Sequence, residues 1–286
     1  MSDGAKRNVS ASDVQLDRST IIGRGRSAII FAGTFGNIQV AIKRVMSTDL
    51  HPQWENQPVD ACFNKITALQ HPNVLKITGI YDDEHFRYHI MERCAASLFD
   101  YCCNTYKGEV PSQADGLYQM VSGLHYIHSQ GFIHRNIKPE NVLISQSIQL
   151  KICDFGLTAP ISARASFSMS SSTRTSPNMQ APEIIQSDED YSSVEESEAK
   201  HNVASDTFSL GCVLFTFLTK GGHPFLSGGS RHFIAINIIE GKYGFSGLDE
   251  QHFAIPIIEK MINKIPEERI QLDQVLKTLK PHISSD

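Results

Sequence analysis

The period of the hydrophobic pattern changes once along the chain, and that switch limits the fold more than any other feature. From Thr20 to Ile42 the apolar residues come in short β-like runs: Ile21-Ile22, Ile29-Ile30-Phe31 and Val40-Ala-Ile42. A glycine turn and Phe35-Gly36-Asn37 separate them, which is the pattern of a small antiparallel meander. Segments 74–80 and 86–92 continue as strands. A short helix is expected over 59–70, ending before His71-Pro72 because the residue before proline avoids the α region. Beyond residue 93 the spacing lengthens. Leu117, Met120, Val121, Leu124 and Ile127 recur at helical intervals within 112–129, and 204–219, 251–263 and 272–280 also read as helices. Strands first and helices afterwards give an α+β class in two lobes, a β-rich one over 19–93 and a mostly helical one over 94–281. Residues 1–18 read as a frayed, disordered tail and 282–286 as a second short tail.

Composition removes several classes. The 286 residues suffice for one large domain or two small ones. With 26 Lys+Arg against 31 Asp+Glu the net charge is −5, whereas a dedicated nucleic-acid binder usually presents a strongly basic face. The longest apolar run, Gly211 to Thr219, falls short of the ~20 residues of a membrane span. Met1 to Asn8 lacks the hydrophobic centre of a signal peptide. The six cysteines, Cys62, Cys94, Cys102, Cys103, Cys153 and Cys212, form no Cys-x-x-Cys pair. They read as free thiols in a reducing, cytoplasmic compartment, without a zinc site. Ser162 to Ser176 is dense in Ser and Thr, and Asp188 to Glu198 holds six acids. Both are expected to be surface loops, since neither could bury enough apolar area to order itself.

The chemistry lies in five short motifs. Gly23-Arg-Gly25-Arg-Ser-Ala28 is a glycine turn between strands, and such turns let backbone N–H groups approach phosphates. Lys43 closes Val40-Ala-Ile-Lys43 one hairpin later. Then come His134-Arg135-Asn136-Ile-Lys138-Pro-Glu-Asn141-Val-Leu143, Asp154-Phe-Gly156 and Ala181-Pro-Glu183. In identity, order and spacing the series resembles the eukaryotic protein kinase domain, from about Ser19 to Pro281. Its Lys-Pro-Glu-Asn form resembles the serine/threonine branch. More narrowly, Glu92-Arg-Cys94-Ala-Ala-Ser97-Leu98, Ser166-Phe-Ser168 and Gly222-His-Pro-Phe225 are similar to the inositol-requiring kinase–endoribonucleases of the unfolded protein response. Those proteins add a lumenal sensor, a membrane span and a C-terminal ribonuclease. With no span, and six residues after Lys280, none of the three is expected here.

The resemblance implies a bilobal protein-kinase fold and a role for each matched residue. ATP would contact Ile22, Gly23, Gly25 and Ile30 around the turn, with Lys43 on its α/β-phosphates. Ala41 and Leu143 would sandwich the adenine, and the backbone of Glu92 and Cys94 would bond its edge. Met91 falls at the gatekeeper position. Asn141 and Asp154 would hold Mg²⁺ through hard oxygens, and Lys138 would neutralise the γ-phosphate. Glu183 with Arg269 resembles a buried structural ion pair, and Asp206 a helix-capping residue beneath the catalytic loop. The activation segment would be 154–183, with an acidic loop over 187–200. A phosphate on Ser166, Ser168, Ser170, Ser171 or Ser172 could pair with Arg135.

Three positions depart from the family pattern. The catalytic-loop aspartate is Asn136, a carboxamide of similar shape that accepts no proton at neutral pH. The helix glutamate that would pair with Lys43 falls, nine residues before His71, on Cys62. Asp60 is about 200° around a helix from there, and Glu55 two turns or about 10 Å away; a register shift of one gives Ala61. The third glycine of the turn is Ala28, and Thr175-Ser-Pro-Asn-Met-Gln180 lacks the Gly-Thr that usually docks substrate. Every other phosphate- or metal-facing group is present. The expected protein therefore binds ATP and Mg²⁺, transfers phosphoryl groups poorly, and signals inside the cell with a protein partner or substrate. Homodimerisation is left open, and no nucleic acid or membrane is expected. The alternative is a catalytically active Ser/Thr protein kinase.

Overall fold

The computed structural model describes residues 9–25, 28–46, 64–161, 177–189, 201–226 and 230–284. The chain divides into two compact units, residues 1–95 and 96–286. The first carries β1 (Val14–Arg24), β2 (Ala28–Phe35), β3 (Ile38–Met46), β4 (Ile77–Asp82) and β5 (Phe86–Glu92). They form one antiparallel sheet in the order β1-β2-β3-β5-β4. Gly36, at φ 58°, takes the left-handed position of the two-residue turn joining β2 to β3. Period-two alternation puts Val40 and Ile42 of β3, Tyr88 and Ile90 of β5 and Val14 of β1 in one cluster.

The frayed tail expected over 1–18 is corrected for its second half. Val14 to Asp17 pair with Phe35 to Ala32, and Val14 is buried. Ahead of β1, the Val9 N–H donates to Ile80 O in β4 at 3.0 Å. Val9 fits there because Gly79 has no side chain: a Cβ on Gly79 would lie 2.7 Å from a Val9 methyl. Val14 and Leu16 alternate with Gln15 and Asp17, a strand signal too short to stand out among polar neighbours. Of the helix expected over 59–70, residues 64–67 are helical; its first part lies outside the described residues, as do residues 1–8.

The second unit begins with β6 (Ala96–Ser97) and α1 (Leu98–Cys102), followed by α2 (Gln113–Ser129) and β7 (Phe132–Ile133). Next come β8 (Val142–Ile144), β9 (Leu150–Ile152) and β10 (Ala159–Pro160). The helices α3 (Pro182–Glu189), α4 (Val203–Leu218), α5 (Ile234–Glu240), α6 (Ile255–Met261) and α7 (Leu272–Leu279) complete it. β6, β8 and β9 form a three-stranded sheet, and β10 pairs with β7. α4 is buried almost all round, as a helix apolar on every side must be. Gly211 lets α6 approach it, since a Cβ there would lie 2.8 Å from Ile262 and 2.9 Å from Met261. The helix expected over 251–263 is confined to Ile255–Met261, and α1, α3 and α5 are too short for their period to show in the sequence. Among the described residues no helix is long and apolar enough to cross a membrane. Cys94, Cys102, Cys103, Cys153 and Cys212 are free thiols; Cys62 lies outside the described residues.

Candidate functional site

A hairpin gathers the chemistry of the second unit. In the β8–β9 ladder Val142 lies opposite Ile152, and one step outward the Cys153 N–H donates to Asn141 O at 2.9 Å. Asn141 and Asp154 therefore meet at the same end of the hairpin. Asn141 is held by the preceding loop as well, its N–H on Lys138 O at 2.9 Å and its Nδ2 on Asn136 O at 2.8 Å. With its amide N–H so committed, Asn141 offers a carbonyl oxygen, a hard donor suited to a divalent cation. Asn136 donates through Nδ2 to Asp154 Oδ2 at 3.4 Å, while its own Oδ1 is buried with no hydrogen-bond partner among the described residues. Lys138, half-buried, opens the 3₁₀ turn Pro139–Asn141.

The backbone at this place is strained. Asp154 adopts φ 67° and ψ 77°, and Arg135 φ 65°. Such left-handed conformations cost a non-glycine residue about 1–3 kcal/mol and persist only where the surroundings impose them. Asp206 imposes one of them: its two oxygens accept the N–H groups of His134 at 2.7 Å and Arg135 at 2.8 Å. Burial pushes the Asp206 carboxyl up, but the hydrogen bond and charge of His128, together with the loop N–H groups, win and hold it below the usual carboxylate range. The expected place of Asp206 beneath the catalytic loop is present, and its expected helix-capping role is corrected. Asn202 caps α4, accepting from Ala204 N at 2.8 Å and Ser205 N at 3.0 Å, and Asp206 in the first turn secures the loop instead. His134 is fully buried, accepts the Asn136 N–H on Nδ1 at 3.3 Å, and so donates through Nε2 to Cys153 O at 3.0 Å. Sequence reasoning missed His128, whose Nε2 lies 2.9 Å from Asp206 Oδ2. The available signal was its place on the apolar face of α2, one turn after Leu124, where a polar group needs a partner.

These buried histidines set a pH dependence. His201 and His223 are held at about 4 against an ordinary 6.5, mainly by burial, with Arg135 adding to the shift of His201 and Arg231 to that of His223. Burial lowers His134 as well. His201 and His223 stay neutral in the fold down to about 4 but protonate in the unfolded chain, so the unfolded state binds more protons below 6.5. Stability is therefore expected to fall on acidification from 6.5 towards 4, by about 1 kcal/mol per pH unit per histidine. Urea unfolding across this window checks it; an unmoved midpoint refutes it.

In the first unit, Gly23 lies opposite Ile30 and Gly25 N–H bonds to Ala28 O at 2.8 Å. A Cβ on Gly25 would touch nothing nearer than Ala28 O at 3.7 Å, so the chain's own packing does not demand that glycine. Arg26 and Ser27 lie outside the described residues. Ile22 is exposed and Ile30 half-buried. Lys43 stands in β3 between Ile30 of β2 and His89 of β5, and the buried Ala41 stands opposite the buried Met91. The Glu92 N–H is committed to Lys76 O at 3.3 Å, and Glu92 Oε1 accepts the Lys76 N–H at 3.1 Å. Cys94 is half-buried beyond β5. Leu143 belongs to the second unit, half-buried in β8 opposite Ser97.

The described part of the stretch before Ala181-Pro-Glu183 folds as a 3₁₀ turn, Pro177–Met179. Met179 and Gln180 line a small recess with Arg135, Asn136 and Lys138. The expected Glu183–Arg269 pair is present, fork to fork at 2.7 Å on both branches. Cys62, Asp60, Glu55 and Ala61, the serines from Ser166 to Ser172, and residues 190–200 of the acidic loop lie outside the described residues; the loop expected over 187–200 is corrected at its start, where 187–189 end α3.

The protein kinase domain family matches residues 16–279. The chain is 32% identical, over 93% of its length, to the serine/threonine-protein kinase/endoribonuclease ire-1 of Caenorhabditis elegans, and 30% identical over 92% to the serine/threonine-protein kinase/endoribonuclease IRE2 of Homo sapiens. It is also 28% identical over 90% to the serine/threonine-protein kinase PLK4 of Xenopus laevis. It covers 27%, 28% and 26% of these proteins, about a quarter of each. With the glycine turn, the strand lysine and the loop–hairpin site in the family's order, the chain belongs to the protein kinase family and has its bilobal α+β fold.

Proposed function

We propose that this protein binds ATP with Mg²⁺, is impaired in phosphoryl transfer, and acts in intracellular signalling through its nucleotide-dependent conformation. Protein kinases generally use ATP and Mg²⁺, and the residues present fit that pair. Asp154 and Asn141 supply hard oxygens at one end of the hairpin, and Gly25 keeps a bare backbone that its own packing does not require. The Mg²⁺ would neutralise phosphate charge; Lys43 and Lys138 would orient the phosphates, and Ile22, Gly23, Ile30, Ala41, Met91, Glu92, Cys94 and Leu143 would bind the rest of the nucleotide. The observation that carries the impairment is Asn136, a carboxamide aimed at Asp154 where the family places a proton acceptor. A cytoplasmic location and a protein partner, with a second copy of the chain as one candidate, belong to the same reading.

One observation favours the alternative, an active Ser/Thr kinase. Asn136 Oδ1 is a buried acceptor with no partner among the described residues, and a carbonyl oxygen can orient a substrate hydroxyl without taking its proton. A loose transition state asks more of positioning than of base strength.

Nucleotide binding is tested by thermal unfolding. ATP–Mg²⁺ at a hundredfold excess over Kd is expected to stabilise the fold by about 2.7 kcal/mol. Lys43→Met or Asp154→Ala is expected to remove most of that shift while leaving a folded protein. A melting curve unmoved by saturating ATP–Mg²⁺ refutes the binding claim.

A further inference from the structure

We propose that Asn136 is a positioning residue for the Asp154 carboxylate, and that its carboxamide makes nucleotide binding less dependent on a divalent cation than an aspartate there would; the inference rests on the nucleotide-binding reading above. Asn136 is 9% exposed and its Nδ2 donates to Asp154 Oδ2 at 3.4 Å. The orientation is set by charge. Turning the amide over would press Oδ1 against a carboxylate oxygen, and the orientation present is kept although it leaves Oδ1 buried without a partner among the described residues.

Neither residue can readily withdraw. The Asn136 N–H rests on His134 Nδ1 and its carbonyl accepts from Asn141 Nδ2, so both backbone groups are fixed. Asp154 follows Cys153, whose N–H and carbonyl are held by Asn141 and His134, and its left-handed backbone leaves little room for adjustment.

The consequence is electrostatic. An aspartate at 136 would set two carboxylates side by side where a polyphosphate has to come, and such a cluster calls more strongly for a divalent cation than one carboxylate does. The carboxamide removes one of those negative charges and gives Asp154 a donor in its place. Lys138 and Arg135, on the same loop and lining the same recess, are the cations next to hand, and burial lowers the His134 pKa, which keeps that ring from adding a third.

The test is calorimetric titration of ATP into the whole chain, with Mg²⁺ and with EDTA, for the unmodified protein, Asn136→Asp and Asn136→Ala. The readout is the ratio of Kd in EDTA to Kd in Mg²⁺, which a merely structural role would not move. That ratio is expected to be at least tenfold larger in Asn136→Asp than in the unmodified protein. In Asn136→Ala, which restores no charge but removes the Asn136 Nδ2 donor from Asp154, it is expected to rise about threefold. Equal ratios in the unmodified and Asp proteins overturn the charge argument, and an unchanged ratio in the Ala protein overturns the positioning role. Should Asn136→Asp fail to fold, the Ala comparison decides. If ATP binds the unmodified protein in neither condition, the nucleotide-binding reading falls and this inference with it; binding with equal ratios removes the inference alone.

Discussion

Asn136→Asp is expected to raise kcat on a generic Ser/Thr peptide by ~10²-fold or more, because general-base catalysis contributes ~10²–10⁴-fold and the carboxamide cannot supply it. In barrier terms this is about 3–5 kcal/mol. The two side chains are nearly the same size, and the loop contacts of residue 136 to His134 and Asn141 are made by its backbone. The substitution therefore leaves the fold in place. It does set a carboxylate near Asp154 Oδ2, so the gain is expected only with Mg²⁺ present. Cys62, outside the described residues, is the second suspected defect. If both matter, Asn136→Asp with Cys62→Glu exceeds the sum of the separate gains, since both act on one assembled site. An unmodified protein that already turns over at about 1–100 s⁻¹, changed less than threefold by Asn136→Asp, would establish the active-kinase alternative instead.

Glu183→Ala is expected to be the most damaging single change to stability, at about 3–5 kcal/mol, because it strands a buried cation. The Arg269 side chain is 1% exposed and both branches of its fork rest on Glu183 at 2.7 Å. Its other hydrogen bonds, to Asn263 O at 2.8 Å, Ala204 O at 2.9 Å and Lys264 O at 3.4 Å, satisfy N–H groups, and the Phe208 ring lies 5.1 Å from the guanidinium, but none of these carries a countercharge. Glu183→Gln keeps one acceptor and is expected to fall between the two. Denaturant unfolding, fitted with allowance for two units unfolding separately, measures the difference. A loss below 1 kcal/mol for Glu183→Ala would show that the pair contributes no more than an exposed one.

Much of this was legible in the chain itself. The period switch gave the α+β class, and the apolar spacing of Leu117 to Ile127 placed α2 almost to the residue. The start of β1 was hidden because two apolar residues among polar ones make too short a signal. The resemblance placed Asp206 beneath the catalytic loop, where its oxygens hold two loop N–H groups, but not the cap of its helix, which is Asn202. The Asn136–Asp154 contact joins residues far apart in sequence. It follows from the β8–β9 register, which no local pattern encodes.

The reach of the chain ahead of β1 has a bearing on association. β1 and β4 are the two edge strands of the first unit's sheet, and residues 9–13 run from the β4 edge at Ile80 to the start of β1. A bare edge is a template on which a foreign strand can build. Here the polypeptide occupies that template with its own Val9, and Gly79 leaves the room for it. A chain shortened to begin at Val14 would lose this guard and present the Ile80 carbonyl to its neighbours, so that residues with no part in the chemistry help keep the sheet from growing.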